Sequence, residues 1–147
     1  MEIKNNSIIA DSSALVSLID ENDINHRRAI EEAKRLEEAD RPIMLPGEVL
    51  AETINILGKK FSHGLAVAAA GEFLRAGSQY FVVETSIEQL RTALVCFHKQ
   101  KESVSFTDCI VMIVADVYGT KDIFGFDKQF EEAGYDRLQP AMKKEAA

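Results

Sequence analysis

Four acidic residues stand at or inside four different apolar segments of this chain. Asp11 closes the run Ser7-Ile8-Ile9-Ala10, and Asp127 closes Ile123-Phe124-Gly125-Phe126. Glu52 lies within the stretch from Glu48 to Leu57, and Asp108 opens the long apolar stretch Cys109 to Ala115. A carboxylate beside apolar sequence is costly to bury unless a proton, a cationic side chain or a metal compensates it. Two carboxylates about 4 Å apart repel by roughly 4 kcal/mol at an effective dielectric near 20. If the fold gathers these acids, a divalent cation is the simplest compensation. Mg²⁺ takes octahedral oxygen ligands and commonly uses only one or two carboxylates, so three or four have capacity for one tightly held ion and a second. Such a site points to phosphodiester hydrolysis, in which the ion lowers the pKa of the attacking water.

Each acid also has a plainer reading. Asp11 follows a strand and precedes a helix, so it can act as an N-cap, although Ser12 or Ser13 could cap without a charge. Ser13 is spaced to hydrogen-bond the Asp11 carboxylate and fix its rotamer. The helix carrying Glu52 has an apolar stripe at Leu50, Ile54, Leu57 and Phe61, widened by Val49 and Ile56. Glu52 projects near that widened edge, whereas Glu48 lies further round toward solvent. Asp108 stands in Ser105-x-x-Asp108, a capping arrangement that also suits the helix dipole. Asp127 can cap a short helix at Lys128-Gln129-Phe130, and Asp116 and Asp122 read as surface charges.

The elements that must position these acids alternate. Strands are expected at Ile8 to Ala10, Pro42 to Pro46, Tyr80 to Val83 and Lys121 to Phe126, with a last short one at Asp136 to Leu138. Helices are expected at Ala14 to Ile19, His26 to Glu38, Gly47 to Lys60, Leu65 to Ala76, Ser86 to Lys99, Ser105 to Tyr118 and Lys128 to Glu132. In the second of these, Ile30, Ala33 and Leu36/Glu37 mark the two faces. Strands separated by helices imply parallel pairing with right-handed crossovers, a three-layer α/β/α sandwich around a mostly parallel sheet. Ligands in such sheets bind at the carboxyl ends of the strands, where Asp11 and Asp127 are both placed. The helix after Asp108 is apolar on all sides and therefore central.

The 147 residues amount to one domain, with a core at about 7–139 and a tail at 140–147 expected to fray. No segment approaches the roughly 18 unbroken apolar residues of a membrane helix. The opening Met-Glu-Ile-Lys-Asn-Asn lacks the layout of a secretion signal, which makes the cytoplasm the expected compartment. Cys96 and Cys109 have no partner at metal-ligand spacing and read as reduced, buried, inert thiols. A net charge of −7 argues against broad attraction to nucleic acid, so any nucleic acid is gripped locally. Lys59, Lys60, His63 and Arg41 are candidates to touch its backbone. An aspartyl-nucleophile phosphohydrolase would need a second Asp where Ser13 stands. His26, His63 and His98 lack a Ser elbow, zinc-ligand pairs are missing, and there is no Walker-type loop.

Four stretches, in this order, resemble the PIN-domain metal-dependent ribonucleases: Ile8 to Leu15, Val49 to Glu52, Ser105 to Asp108, and Phe126 to Phe130. The resemblance spans nearly the whole chain. It implies that Asp11, Glu52, Asp108 and Asp127 line one pocket for Mg²⁺ or Mn²⁺, with Ser13 at the family's polar position after the first Asp. It implies hydrolysis of RNA to 5′-phosphate and 3′-hydroxyl ends. In that reaction Asp11 and Asp108 hold the main ion, Glu52 orients or deprotonates the attacking water, and Asp127 serves a second ion or its water shell. Gly125 departs from the pattern, standing where many relatives carry Thr or Ser. Small single-domain members of this size look like VapC-type toxins, paired with an antitoxin and commonly homodimeric. The competing expectation is a PIN-like binding module that assembles with a protein partner without catalysis, against which the retention of all four acids argues.

Overall fold

A computed structural model describes residues 6–142. The expectations for the first residues and for the end of the tail lie outside the described residues. The chain runs β1(Ile8–Ala10), α1(Ser12–Ile19), α2(His26–Glu38), β2(Ile43–Pro46), α3(Gly47–Lys60), α4(His63–Leu74), β3(Tyr80–Val83), α5(Ile87–His98), α6(Phe106–Val117), β4(Ile123–Phe124) and α7(Lys128–Glu132). The four strands form one sheet in the order β3-β2-β1-β4 with every pairing parallel. Helices flank it in the expected three-layer α/β/α arrangement. Ile9 of β1 pairs with Met44 on one side and Ile123 on the other, so β1 is central and its three residues are all buried. Because β1 and β4 are parallel neighbours, the acids that follow them leave the sheet at the same edge.

Local chemistry explains most of the boundaries. Ser86 with Gln89 and Ser105 with Asp108 form complete capping boxes at the starts of α5 and α6. Ser62 accepts the Leu65 N–H and so starts α4 at His63, two residues before its apolar pattern begins. In α6 the run from Asp108 to Ala115 is buried without interruption, as a central helix requires.

Three expectations change. The deepest face of α3 is Val49, Thr53 and Leu57; Leu50 and Ile54 are only partly buried, and Phe61 is exposed at the helix end. Thr53 can take a core position because its hydroxyl donates to the Val49 carbonyl at 2.8 Å, leaving no polar atom unpaired. In α2 it is Ala29, Glu32, Ala33 and Leu36 that are buried, while Ile30 is exposed. Strand β4 shrinks to two residues, and Asp136 makes only an isolated bridge with Asp122 in place of a last strand. Its successor residues turn away: the Phe126 N–H donates to Ser13 Oγ at 2.9 Å instead of continuing a ladder.

Cys109 is buried, with its thiol pushed up to about 12 by burial; Cys96, expected to be buried, is only half-buried, and both are free. No helix among the described residues is long and apolar enough to cross a membrane.

Leu15 is fully buried one turn after Asp11. Leu15→Ala is expected to lower unfolding stability by about 2–5 kcal/mol, as a shifted urea midpoint at unchanged slope.

Candidate functional site

The carboxyl edge of the sheet brings three of the four expected acids together. One carboxylate oxygen from each of Asp11, Asp108 and Asp127 lies within 4.8 Å of the others. Asp11 is the most buried at 1% exposure, Asp108 is buried, and Asp127 is half-buried. Glu52 stands outside this trio, half-buried, with Oε2 accepting from Ser12 Oγ at 2.6 Å. Its charge is nonetheless among those that raise the pKa of Asp127.

Asp11 and Asp108 are each held by local structure through one carboxylate oxygen only. Asp11 is the N-cap of α1; its Oδ2 accepts from the Ser13 N–H at 3.2 Å and from Ser13 Oγ at 2.9 Å. Ser13 Oγ in turn accepts from the Phe126 N–H, so one hydroxyl ties the exit of β1 to the exit of β4. Asp108 Oδ2 accepts from the Ser105 N–H at 2.9 Å and from Gln129 Nε2 at 3.1 Å. Asp127 is the N-cap of α7 but makes no side-chain capping bond, which leaves its carboxylate to face the cluster. Capping and clustering are thus compatible for Asp11 and Asp108, and capping by the side chain is dispensed with at Asp127. Among the described residues no donor bonds Oδ1 of Asp11 or of Asp108.

Gly125 has a steric reason. A Cβ built there would lie 2.8 Å from Asp11 Cβ and 3.2 Å from Asp11 Oδ2. Any side chain, Thr and Ser included, would displace the central carboxylate. The hydroxyl that supports Asp11 belongs to Ser13.

The electrostatics are those of an uncompensated anionic site. Burial first, then the Asp127 charge, push the Asp11 carboxyl up to about 7, against the lowering effect of its bond to Ser13. Asp127 is raised as well, by burial and then by Asp108, with Arg137 opposing. Among the described residues none of the four acids is in an ion pair. Three carboxylate oxygens, one deeply buried and no nitrogen or sulfur donor, are the donor set of a hard divalent cation. The residues present fit Mg²⁺ or Mn²⁺.

Other expected residues lie elsewhere or serve the fold. Lys60 pairs with buried Asp20 at 2.7 Å. Arg41 binds Asp122 and the carbonyls of Asn6 and Ser7 near the amino end of β1, remote from the cluster. Asp122 is therefore an ion-pair partner and only partly a surface charge; Asp116 is exposed and accepts from Tyr135 Oη at 2.8 Å. Glu48 is half-buried and accepts from Thr85 Oγ1 at 2.8 Å, so it is not freely solvated. Lys59 and His63 line a groove between α3 and α4. Sequence reasoning overlooked Ser12, which orients Glu52, and Gln129, which steadies Asp108. It also overlooked Arg137, whose guanidinium donates to the Phe126 carbonyl and Glu131 beside Asp127. Gln129 follows Asp127 by two residues; no composition or spacing signal marks Arg137.

Fold and site together define an α/β protein with an oxygen-donor cluster, suited to a divalent cation, at the carboxyl edge of a parallel sheet. The chain belongs to the PIN domain family, whose model matches residues 8–134. It is 29% identical over 134 residues to the 23S rRNA-specific endonuclease VapC20 of Mycobacterium tuberculosis, in strains CDC 1551 / Oshkosh and ATCC 25618 / H37Rv, covering 90% of this chain and 98% of the relative. The crystal structure of Mycobacterium tuberculosis VapC20, described as a Sarcin-Ricin loop cleaving toxin, superposes with a TM-score of 0.77 at 27% identity. That match covers 90% of this chain and 99% of the other.

Two outcomes follow from this geometry. Gly125→Ala is expected to cost about 1–3 kcal/mol by overpacking against Asp11. Gly71→Ala, in α4 with nothing within 4 Å of the added carbon, should instead stabilise by about 0.5–1 kcal/mol. Chemical denaturation of both variants checks the pair. The second outcome concerns pH. With its carboxyl raised from 3.8 to about 7, folded metal-free Asp11 keeps a proton that the unfolded chain releases. The unfolded state binds fewer protons across that window, so stability should fall as pH rises from about 4 to 7. Urea midpoints are expected to be higher at pH 5 than at pH 7.5, and Asp11→Asn should flatten the difference.

Proposed function

We propose that this chain is a divalent-metal-dependent endoribonuclease that serves as the toxin of a toxin–antitoxin pair. One observation carries the reading: three carboxylates converge on one point, and among the described residues none of them is in an ion pair. Membership of the PIN family and similarity to an rRNA endonuclease toxin support it. In this reading Asp11, Asp108 and Asp127 hold Mg²⁺ or Mn²⁺, Glu52 borders the site, and Ser13 steadies Asp11. When bound, the ion would supply a Lewis acid for the phosphate and a lowered pKa for the attacking water.

The protein's own contributions are orientation and proton handling. Ser13 fixes the Asp11 carboxylate through Oδ2 and leaves Oδ1 to face a ligand. Ser105 and Gln129 do the same for Asp108. Ser12 holds Glu52 by Oε2, which leaves Oε1 to accept a proton from water attacking the phosphorus. Since burial raises Asp11 to about 7 and Asp127 above its ordinary value, binding a cation should release protons, the one on Asp11 near neutral pH.

The reading extends to an RNA substrate, for which an rRNA stem-loop is the first to try, and to a single domain of 1–147 with its core at about 7–139. It extends also to a cytoplasmic site of action, a homodimer and an antitoxin partner. Exposed Ile87, Leu94 and Val95 on α5 are the residues of that helix offered to such a contact. Retained acids weigh against the second reading, a binding module without catalysis.

Titrating Mn²⁺ while recording thermal unfolding should raise the midpoint of the wild type and leave Asp11→Asn nearly unmoved. Asp108→Asn keeps an amide oxygen to accept the Ser105 N–H, so it should fold. It is expected to lose Mg²⁺-dependent RNA cutting by more than roughly a hundredfold. Cutting at wild-type rates would exclude this site. Neither cutting nor a metal shift in the wild type would leave the binding module standing.

A further inference from the structure

A carboxylate cluster with its ion treats every phosphodiester alike, so base preference must come from an adjoining surface. A cleft of about 320 Å³ adjoins the cluster, between α1, the loop after it and the turn after β4. Asp127, Ser12 and Ser13 line the part shared with the cluster, and Asp23 and Asn25 line the cleft as well.

Both of these loop residues are half-buried and held in place. Asp23 Oδ1 accepts from Ser17 Oγ at 3.0 Å and from the Asn25 N–H at 2.7 Å. Asn25 Oδ1 accepts from the Ala141 N–H at 2.8 Å. A backbone N–H can bond only an acceptor, so this contact fixes which way the Asn25 amide is turned. Its NH₂ group, like Asp23 Oδ2, has no partner among the described residues. Two neighbouring residues of the cleft lining therefore keep one acceptor and one donor unpaired, on side chains whose orientation is fixed by their other bonds. Val16, Ile56 and Phe126 supply apolar walls for a flat ring.

We propose that this cleft receives the base of a nucleotide flanking the scissile phosphate, and that Asp23 and Asn25 select a base whose edge carries a carbonyl next to a ring N–H. Guanine and uracil present that edge. Adenine and cytosine present an amino group next to a bare ring nitrogen, so both polarities are reversed and two polar groups are left mispaired. The inference rests on the nuclease reading for the position of the phosphate. Arg27 and Arg28 line a depression with Gln139 to Met142, to which the Asn25–Ala141 bond leads. Arg27 is exposed and in no ion pair among the described residues, and in a chain of net charge −7 it is suited to grip the continuing RNA backbone.

Uridine and cytidine test the edge directly, because they match in size and differ there. Each is titrated into the metal-free wild type while the Asn25 side-chain NH₂ signals are followed by NMR. Uridine should shift them at a concentration on the order of tenfold lower than cytidine. Asp23→Asn keeps the Oδ1 acceptor and turns Oδ2 into a donor; it should erase that difference. Asn25→Asp keeps the bond to Ala141 and reverses the other polarity; followed by the Ala141 backbone amide signal, it should erase the difference too. The second readout is kcat/KM for single-stranded RNAs carrying each base at the two positions flanking the cut. Guanine and uracil should exceed adenine and cytosine by roughly tenfold, and the ratio should collapse in Asp23→Asn at an unchanged thermal midpoint. Equal response to the two nucleosides, or a ratio that Asp23→Asn leaves intact, would overturn the base selection while the nuclease reading stands. A uridine preference in a wild type that cuts none of the RNAs would retract the nuclease reading and the flanking position with it.

Discussion

The Asp11 carboxylate is almost wholly out of water, has two other carboxylates within reach and is in no ion pair among the described residues. Burial of a charge under those conditions is unfavourable, and the group answers by holding its proton up to about pH 7. A stable protein has little reason to keep three such groups converging unless a ligand repays the repulsion. The rest of the site can be understood as the set of devices that keeps Asp11 there.

Those devices are short-range. Parallel pairing of β1 with β4 delivers Asp11 and Asp127 to one edge. Ser13 bonds the carboxylate of one and the backbone just before the other. Gly125 omits the side chain that would collide with Asp11. The capping box of α6 orients Asp108 with a bond it would make in any helix, and the same residue then serves the cluster. A single residue type at each of these positions meets a backbone requirement and a site requirement together.

This economy governs how far the sequence could be read. Strand and helix positions were legible because capping residues, prolines and apolar periods agree locally, as at Ser86 with Gln89 and at Pro46 before α3. The convergence of Asp11, Asp108 and Asp127 was legible from their places after strands and at a helix start. Burial of Thr53 was not, because it depends on a hydroxyl bond to its own helix that a polar residue does not advertise. The shortening of β4 was hidden for a related reason: Phe126 gives its N–H to Ser13, more than a hundred residues earlier in the chain, so no local pattern records it. Gln129 and Arg137 act through long-range geometry as well. Glu52 was read as a member of the cluster, whereas the fold sets it just outside and ties it to Ser12.

The cluster's meaning reduces to whether it captures a cation. Soaking crystals in Mn²⁺ and recording anomalous diffraction would locate one. The account predicts a single strong peak among the Asp11, Asp108 and Asp127 carboxylates, at about the 2.1 Å of a Mg²⁺–oxygen bond. Strong anomalous peaks elsewhere with none between these three oxygens, at pH values where Asp11 is ionised, would contradict it.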